Sequence, residues 1–325
     1  MSRILRLGIL SDIHYAAAAE QARGNDFELR GLTNPVVRWA LRAYRRRIWL
    51  KDPLAHNTLL DDFLSRVGPV DYVIAGGDYS CDSGFVGVSD DAAFASAQEC
   101  LGKLRARYGP RFRAILGDHE LGKMTLVGRR GGMRLASWER SLIGLGLEPF
   151  WQVEWGSYVL LGLTSSLVAM PFCEPEALPA ERSEWRRLRA THLDQIRRAF
   201  WGLRPDQRVL LFCHDPTALP FLALEEAVRS RLGQIEQTII GHLHTQLVLR
   251  KARWLAGMPR IGFLGHSVQR FTAALREARA WRLFRVRLCP SLAGIELLKD
   301  GGFCTAELEE TAHPPARFAF HPLRR

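Results

Sequence analysis

The sequence predicts a layered α/β fold from two observations: short apolar runs without polar alternation recur along the chain, and stretches with helical spacing separate them. Runs of this kind read as strands buried on both faces. The 325 residues, 47% of them hydrophobic, are enough for a well-buried core and exclude a disordered chain. The formal net charge of +11 favours anionic partners, whether phosphorylated substrate, nucleic acid or acidic membrane surface, without choosing among them.

In chain order, the first strand is expected at 4–10. Arg3 and Arg6 ahead of apolar residues have the outline of a signal peptide, but Asp12 and His14 end the apolar stretch too soon. Further strands are expected at 72–75, 112–116, 158–163, 209–213, 238–240 and 261–264, with helices at 57–67, 90–108, 183–203 and 218–232. No residue from 155 to 173 is charged, yet Gly156, Gly162, Ser165, Ser166 and Pro171 argue for a strand and a loop rather than a membrane span. Toward the end, 283–288 and 295–299 read as strands, and Asp300-Gly301-Gly302 as a hairpin turn into 303–308, so a closing antiparallel sheet is expected. Residues 1–310 are thus one domain, and 311–325, with Pro314, Pro315 and Pro322, are expected to be an unstructured tail. The six cysteines form no Cys-x-x-Cys pair, so neither a zinc finger nor a disulfide scaffold is indicated and a reducing, cytoplasmic location fits.

Nearly every buried strand ends in residues of metal-ligand type. Asp12-Ile13-His14 follows the first strand, Gly76-Gly77-Asp78 the second and Gly117-Asp118-His119-Glu120 the third; Cys213-His214-Asp215 and Gly241-His242-Leu243-His244 come later. Open α/β sheets bind ligands at the carboxyl ends of their strands, so these loops should converge in space. A mixed carboxylate and imidazole set suits divalent Mn²⁺, Fe²⁺ or Zn²⁺ and argues against an all-oxygen calcium cage. These residues exceed what one ion needs, and two ions together can polarise a phosphoryl group and supply a nucleophile at neutral pH.

In order and spacing, Asp12 to His244 resembles the signature of the calcineurin-like metallophosphoesterases. That resemblance implies a four-layer sandwich of two mixed β-sheets flanked by α-helices. It implies one metal on Asp12, His14 and His244, a second on Asp118, His214 and His242, Asp78 bridging both, and His119 as the acid protonating the leaving oxygen. Mn²⁺ is the first choice of metal. The family usually has Asn where this chain has Asp118; the extra carboxylate either dilutes the Lewis acidity of the ions or raises the pKa of His119, and sequence does not decide which.

Other residues carry weaker signals. Glu120 is placed to orient His119 or to make a surface salt bridge, and Asp215 to satisfy a turn. Arg129, Arg130 and Arg134 are candidate phosphate contacts, against the plainer reading of a solvated basic loop. His56, His192, His313 and His321 are read as structural or surface residues, and His266 as a position where substrate contacts could lie.

A basic insert at 30–51 opens with Asn34-Pro35, a helix start. Val37, Ala40, Leu41, Tyr44 and Ile48 then make an apolar stripe, while Arg38, Arg42, Arg45, Arg46 and Lys51 occupy the remaining surface. Such a helix covers the core or rests on an anionic membrane; Trp39 and Trp49 favour the lipid boundary.

The leading functional expectation is therefore a two-metal-dependent hydrolase of phosphodiester or pyrophosphate bonds. By its insert the chain is similar to UDP-2,3-diacylglucosamine pyrophosphatases of lipid A synthesis, which implies a lipid-linked nucleotide substrate and a place at the inner membrane face. The alternatives are a nuclease or cyclic-nucleotide phosphodiesterase and a non-catalytic scaffold of the same fold. No clear DNA-binding region supports the first, and the intact set of metal ligands speaks against the second.

Overall fold

The computed structural model describes residues 3–125, 127–261, 266–311 and 314–323, without the side chains of 266–271. Two five-stranded sheets form its centre. The first has the order β10-β9-β1-β2-β3, from β1 (Ile4–Leu10), β2 (Tyr72–Ala75), β3 (Phe112–Ala114), β9 (Gly302–Glu309) and β10 (Arg317–Pro322). The second has the order β4-β5-β6-β7-β8, from β4 (Phe150–Trp155), β5 (Tyr158–Leu163), β6 (Arg208–Cys213), β7 (Ile235–Ile240) and β8 (Val286–Leu288). Both sheets are mixed: β1-β2-β3 and β5-β6-β7-β8 run parallel, and β9, β10 and β4 join antiparallel.

The alternation of side chains along each strand builds the layers. Leu5, Leu7 and Ile9 of β1 share a core between the sheets with Leu160 of β5 and Leu210 and Phe212 of β6. Neighbouring residues point the other way. Leu10 and Val73 pack with the helical residues Leu60, Phe63 and Leu101, and Leu161 and Leu211 pack with Ile196 and Phe200. Helices Thr58–Arg66 and Asp91–Tyr108 thus cover the first sheet, and Arg182–Trp201 covers the second. This is the expected four-layer sandwich, with sheets that are apolar on both faces because both faces are covered.

Three local expectations need correction, and one strand was not expected. Residues 317–322 are not part of a structureless tail, because β10 pairs with β9 along its length from Arg317↔Glu307 to Pro322↔Gly302. Pro322 and the flanking prolines fit there because an edge strand has backbone donors to spare. Residues 295–299 are a turn and not a strand: Glu296 N donates to Trp49 O and Leu297 N to Ile48 O, so the end of the basic insert takes the hydrogen bonds a hairpin would have used. Strand β4 was missed, although the two-residue connection Gly156-Ser157 between aromatic, alternating flanks is its signal. The helix expected over 218–232 is broken into the short turns Leu219–Leu222 and Glu226–Arg229. The strand expected at 261–264 and the side chains of His266 and His313 lie largely or wholly outside the described residues.

Candidate metal centre

All the parallel strands that carry a motif deliver it at the same edge of the sandwich. Asp12 and His14 follow β1, Asp78 follows β2, Asp118 and His119 follow β3, His214 follows β6, and His242 and His244 follow β7. The loops are stitched together by backbone bonds that prolong the sheet: Asp12 N donates to Gly77 O and His14 N to Asp78 O. Gly117 is required where these loops cross, since a Cβ there would stand 2.1 Å from Asp78 Oδ1.

The side chains fall into overlapping groups whose ligand atoms lie within 4.8 Å of one another: Asp12, His14 and His244; Asp78, Asp118, His214 and His242; and His14, Asp78 and His119. In the first group His14 Nε2 is 3.4 Å from His244 Nε2, which is 3.4 Å from Asp12 Oδ1. In the second, His214 Nε2 stands 3.2 Å from both Asp78 Oδ2 and Asp118 Oδ1, and His242 Nδ1 is 3.4 Å from Asp118 Oδ1. The seven residues expected as ligands are therefore together, and Asp78 lies between the groups. The donors are nitrogen and oxygen only, a set that fits divalent first-row ions.

Backbone strain is concentrated on the same residues. Asp12, His14, Asp78, His242 and His244 all have φ between 49° and 59°, in the left-handed region that residues with a Cβ seldom adopt. Such conformations persist where the surroundings over-determine them, typically at functional sites.

A second ring of groups orients the donors. His214 Nδ1 bonds Gly76 O at 2.7 Å and His14 Nδ1 bonds Ser80 O at 3.4 Å, so in both rings Nε2 is the nitrogen left to face the site. Asp215 uses one oxygen to cap Thr217 N, as a turn residue would, and holds the other 3.7 Å from His242 Nε2. Glu120 does not touch His119 as one reading of the sequence had it. Its carboxylate accepts from the backbone N of Gly117, Asp78 and Tyr79, clamping the loops after β2 and β3, and burial with the neighbouring Asp78 pushes it up to about 7.

His119 Nε2 lies 3.7 Å from Asp78 Oδ2 and is touched by the ammonium of Lys123, which also lies 3.6 Å from Asp118 Oδ2. Lys123 escaped sequence reasoning because it falls outside the strand-end motif, and only its i+5 and i+4 spacing from Asp118 and His119 hinted at contact. Burial brings the His119 imidazole down to about 3; Asp78 and Asp118 pull it up, and Lys123 and His14 push it down. The expected lift from Asp118 is present but loses to burial. His214 goes the other way: burial opposes its charge, but Asp78 and Asp12 outweigh burial and push it well up.

Two arginines of the following loop bond within the chain. Arg130 donates to Glu28 O, Arg134 donates to Met133 O and Gly131 O, and Arg129 is exposed. Two of the three are thus committed to backbone carbonyls of their own chain. The basic insert is a helix, Pro35–Tyr44, capped by Asn34 as expected and prolonged by one wider turn, Arg45–Trp49. Of the residues expected on its basic face, Arg46 and Lys51 are exposed, while Arg38 donates to Leu32 O, Arg42 pairs with Asp26 at 2.7 Å and Arg45 with Glu28 at 2.8 Å. At its end, the Trp49 ring stands 4.7 Å from that of His244. No helix among the described residues is long and apolar enough to cross a membrane.

Fold and site together define an α/β sandwich with a candidate binuclear metal centre at the carboxyl edge of its strands. No protein-family model and no curated protein matches the chain. Among solved structures, a dimetal phosphatase from Danio rerio is similar over 94% of this chain and 93% of its own, at 16% identity and a TM-score of 0.49. A purple acid phosphatase from yellow lupin (Lupinus luteus) seeds is similar over 75% of this chain and 38% of its own, at 10% identity and TM-score 0.36. Phosphopantetheinyl hydrolase from Mycobacterium tuberculosis is similar over 75% and 84%, at 15% identity and TM-score 0.33.

Proposed function

We propose that this protein is a two-metal-dependent hydrolase of phosphodiester or pyrophosphate bonds. The observation that carries the reading is the convergence of seven carboxylate and imidazole side chains, from five separate strand ends, into adjoining ligand groups. In this reading Asp12, His14 and His244 hold one ion, Asp118, His214 and His242 the other, and Asp78 serves both. Two divalent ions so placed supply Lewis acidity and an activated water at neutral pH, with Mn²⁺ the first choice and Fe²⁺ or Zn²⁺ also suited to the donors. The proton for the leaving oxygen would come from His119, whose Nε2 the ammonium of Lys123 touches. The test is metal analysis of the purified protein together with turnover of a generic aryl phosphodiester. No more than one ion per chain, or no metal-dependent turnover, would remove the reading and favour a non-catalytic scaffold.

For the substrate, the reading extends to a lipid-linked phosphate compound, such as a lipid-linked nucleotide, at an anionic membrane surface. One feature of the insert favours it over a nuclease or cyclic-nucleotide phosphodiesterase. The Pro35–Tyr44 helix buries none of its residues; Val36, Trp39, Tyr44 and Ile48 are exposed, and Leu297, beside Ile48, adds to the apolar surface. Arg46 and Arg47 lie exposed next to it, and Trp49 links the same element to His244. Apolar surface rimmed by basic side chains matches lipid chains beside anionic headgroups.

A further inference from the structure

The carboxylate of Asp118 is divided among three partners. Oδ1 faces the imidazoles, 3.2 Å from His214 Nε2 and 3.4 Å from His242 Nδ1, whereas Oδ2 faces Lys123 Nζ at 3.6 Å. The lysine reaches back because the short helix Asp118–Leu121 ends at Gly122, whose φ of 94° reverses the chain. No other residue fits that turn easily: a Cβ on Gly122 would stand 2.5 Å from Gly132 O and 2.7 Å from Val86 C. The loop beyond is pinned too, since Gly132 N donates to Lys123 O and Thr125 N to Arg130 O. A long, flexible side chain is thus held with its charge against one oxygen of a ligand carboxylate.

We propose that Lys123 is a built-in charge of the metal centre, neutralising the outer oxygen of Asp118 so that the pair offers the second ion one donor oxygen and no net charge. This rests on the two-metal reading above. A metal-ligand carboxylate would otherwise add a negative charge to a site that already holds Asp12 and Asp78, tightening ion binding while weakening the pull of the ions on a phosphoryl group. The ammonium offsets that charge without occupying the oxygen turned toward the imidazoles.

Titration of the metal-stripped full chain with Mn²⁺ alone, followed by calorimetry, tests the proposal. Lys123→Met is expected to bind the weaker of its two ions at least about tenfold more tightly, the factor for a unit charge facing a divalent ion at roughly 6 Å in water. Asp118→Asn, which leaves the ammonium uncompensated, is expected to bind that ion about tenfold more weakly by the same reasoning. The double variant is expected to fall back to within about threefold of the wild type, and Lys123→Arg to match it, because neither changes the net charge. Lys123→Gln is measured alongside Lys123→Met in case the methionine variant does not fold. If neither neutral variant binds more tightly, or if the double variant is as weak as Asp118→Asn, Lys123 does not balance the charge of the centre. If the wild type binds fewer than two ions, the metal reading fails and this inference falls with it.

Discussion

His14 and His244 face each other through their Nε2 atoms at 3.4 Å, with the Trp49 ring beside the second. Two imidazole nitrogens this close need a shared proton or a cation between them, so ion binding and stability should be linked. A ligand at a hundred times its Kd stabilises by about 2.7 kcal/mol. For a chain of this size, that corresponds to a rise in Tm of roughly 5 °C. Thermal melts of the metal-stripped protein with and without added Mn²⁺ are expected to show this rise, and His244→Ala to lose most of it. An equal rise in the variant would place the stabilising ion elsewhere.

Asp78 falls in two of the ligand groups, one with Asp118, His214 and His242 and one with His14 and His119, and is proposed to serve both ions. Asp78→Ala is therefore expected to impair both ions, dropping metal content from about two per chain to below one, with turnover of an aryl phosphodiester reduced roughly a hundredfold or more. Elemental analysis after desalting reads the first and initial rates the second. Retention of one full-occupancy ion would show that Asp78 serves a single site.

Asp215 holds one oxygen 3.7 Å from His242 Nε2 and caps Thr217 N with the other. Asp215→Asn keeps the capping oxygen and removes the charge, so the fold is expected to survive. Metal affinity is expected to fall about tenfold, the lower end of the effect of outer partners on metal ligands. Unchanged affinity would leave Asp215 as a turn residue alone.

His119 should matter most where the leaving oxygen needs a proton. His119→Ala is expected to slow alkyl phosphodiesters by roughly 10²–10⁴-fold, the usual range for proton transfer, and activated aryl esters far less. Equal losses on both substrates would take it out of the acid's role.

His192 provides a pH test away from the metals. Its Nε2 accepts from Thr164 N at 3.2 Å inside the second sheet's core, and burial holds the ring down at about 4. Because its folded value lies below the ordinary one of about 6.5, both states are neutral above that pH and nothing is lost there. As pH falls, the unfolded chain takes up the proton first, and about 3 kcal/mol of stability is lost by the time pH reaches about 4. Urea melts of metal-stripped protein at pH 7.5 and 4.5 are expected to show that difference, reduced in His192→Gln. An identical pH response in the variant would assign the loss to other groups.

The lipid-linked reading predicts binding to anionic vesicles at low salt that weakens as salt rises, since the basic contribution is screened and the apolar one is not. Arg46 and Arg47 are the side chains to change to Ser, because Arg42 and Arg45 tether the helix to Asp26 and Glu28. Sedimentation that is absent at low salt, or unmoved by these changes, would reduce the helix to a cover.

The clustering of the candidate metal ligands was legible in the sequence because its information is local. Each buried apolar run ends where the chain leaves the sheet, and Asp12, Asp78, Asp118, His214 and His242 stand at those ends, so parallel strands alone bring them together. The layers were legible for the same reason, since a strand covered on both faces shows no polar alternation. Tertiary structure decided what depends on partners remote in sequence. Glu120 became a clamp for backbone N–H groups because the β2 loop passes beside it, and the insert's arginines became tethers because acidic residues 16 and 17 positions away lie under the helix. Residues 317–322 became a strand because β9 left an open edge, and the charge of Asp118 met Lys123 because Gly122 turned the chain back on itself. Apolar periodicity records which face of an element is covered, whereas the pairing of charges and edges is set by distances that exist only after the layers have packed.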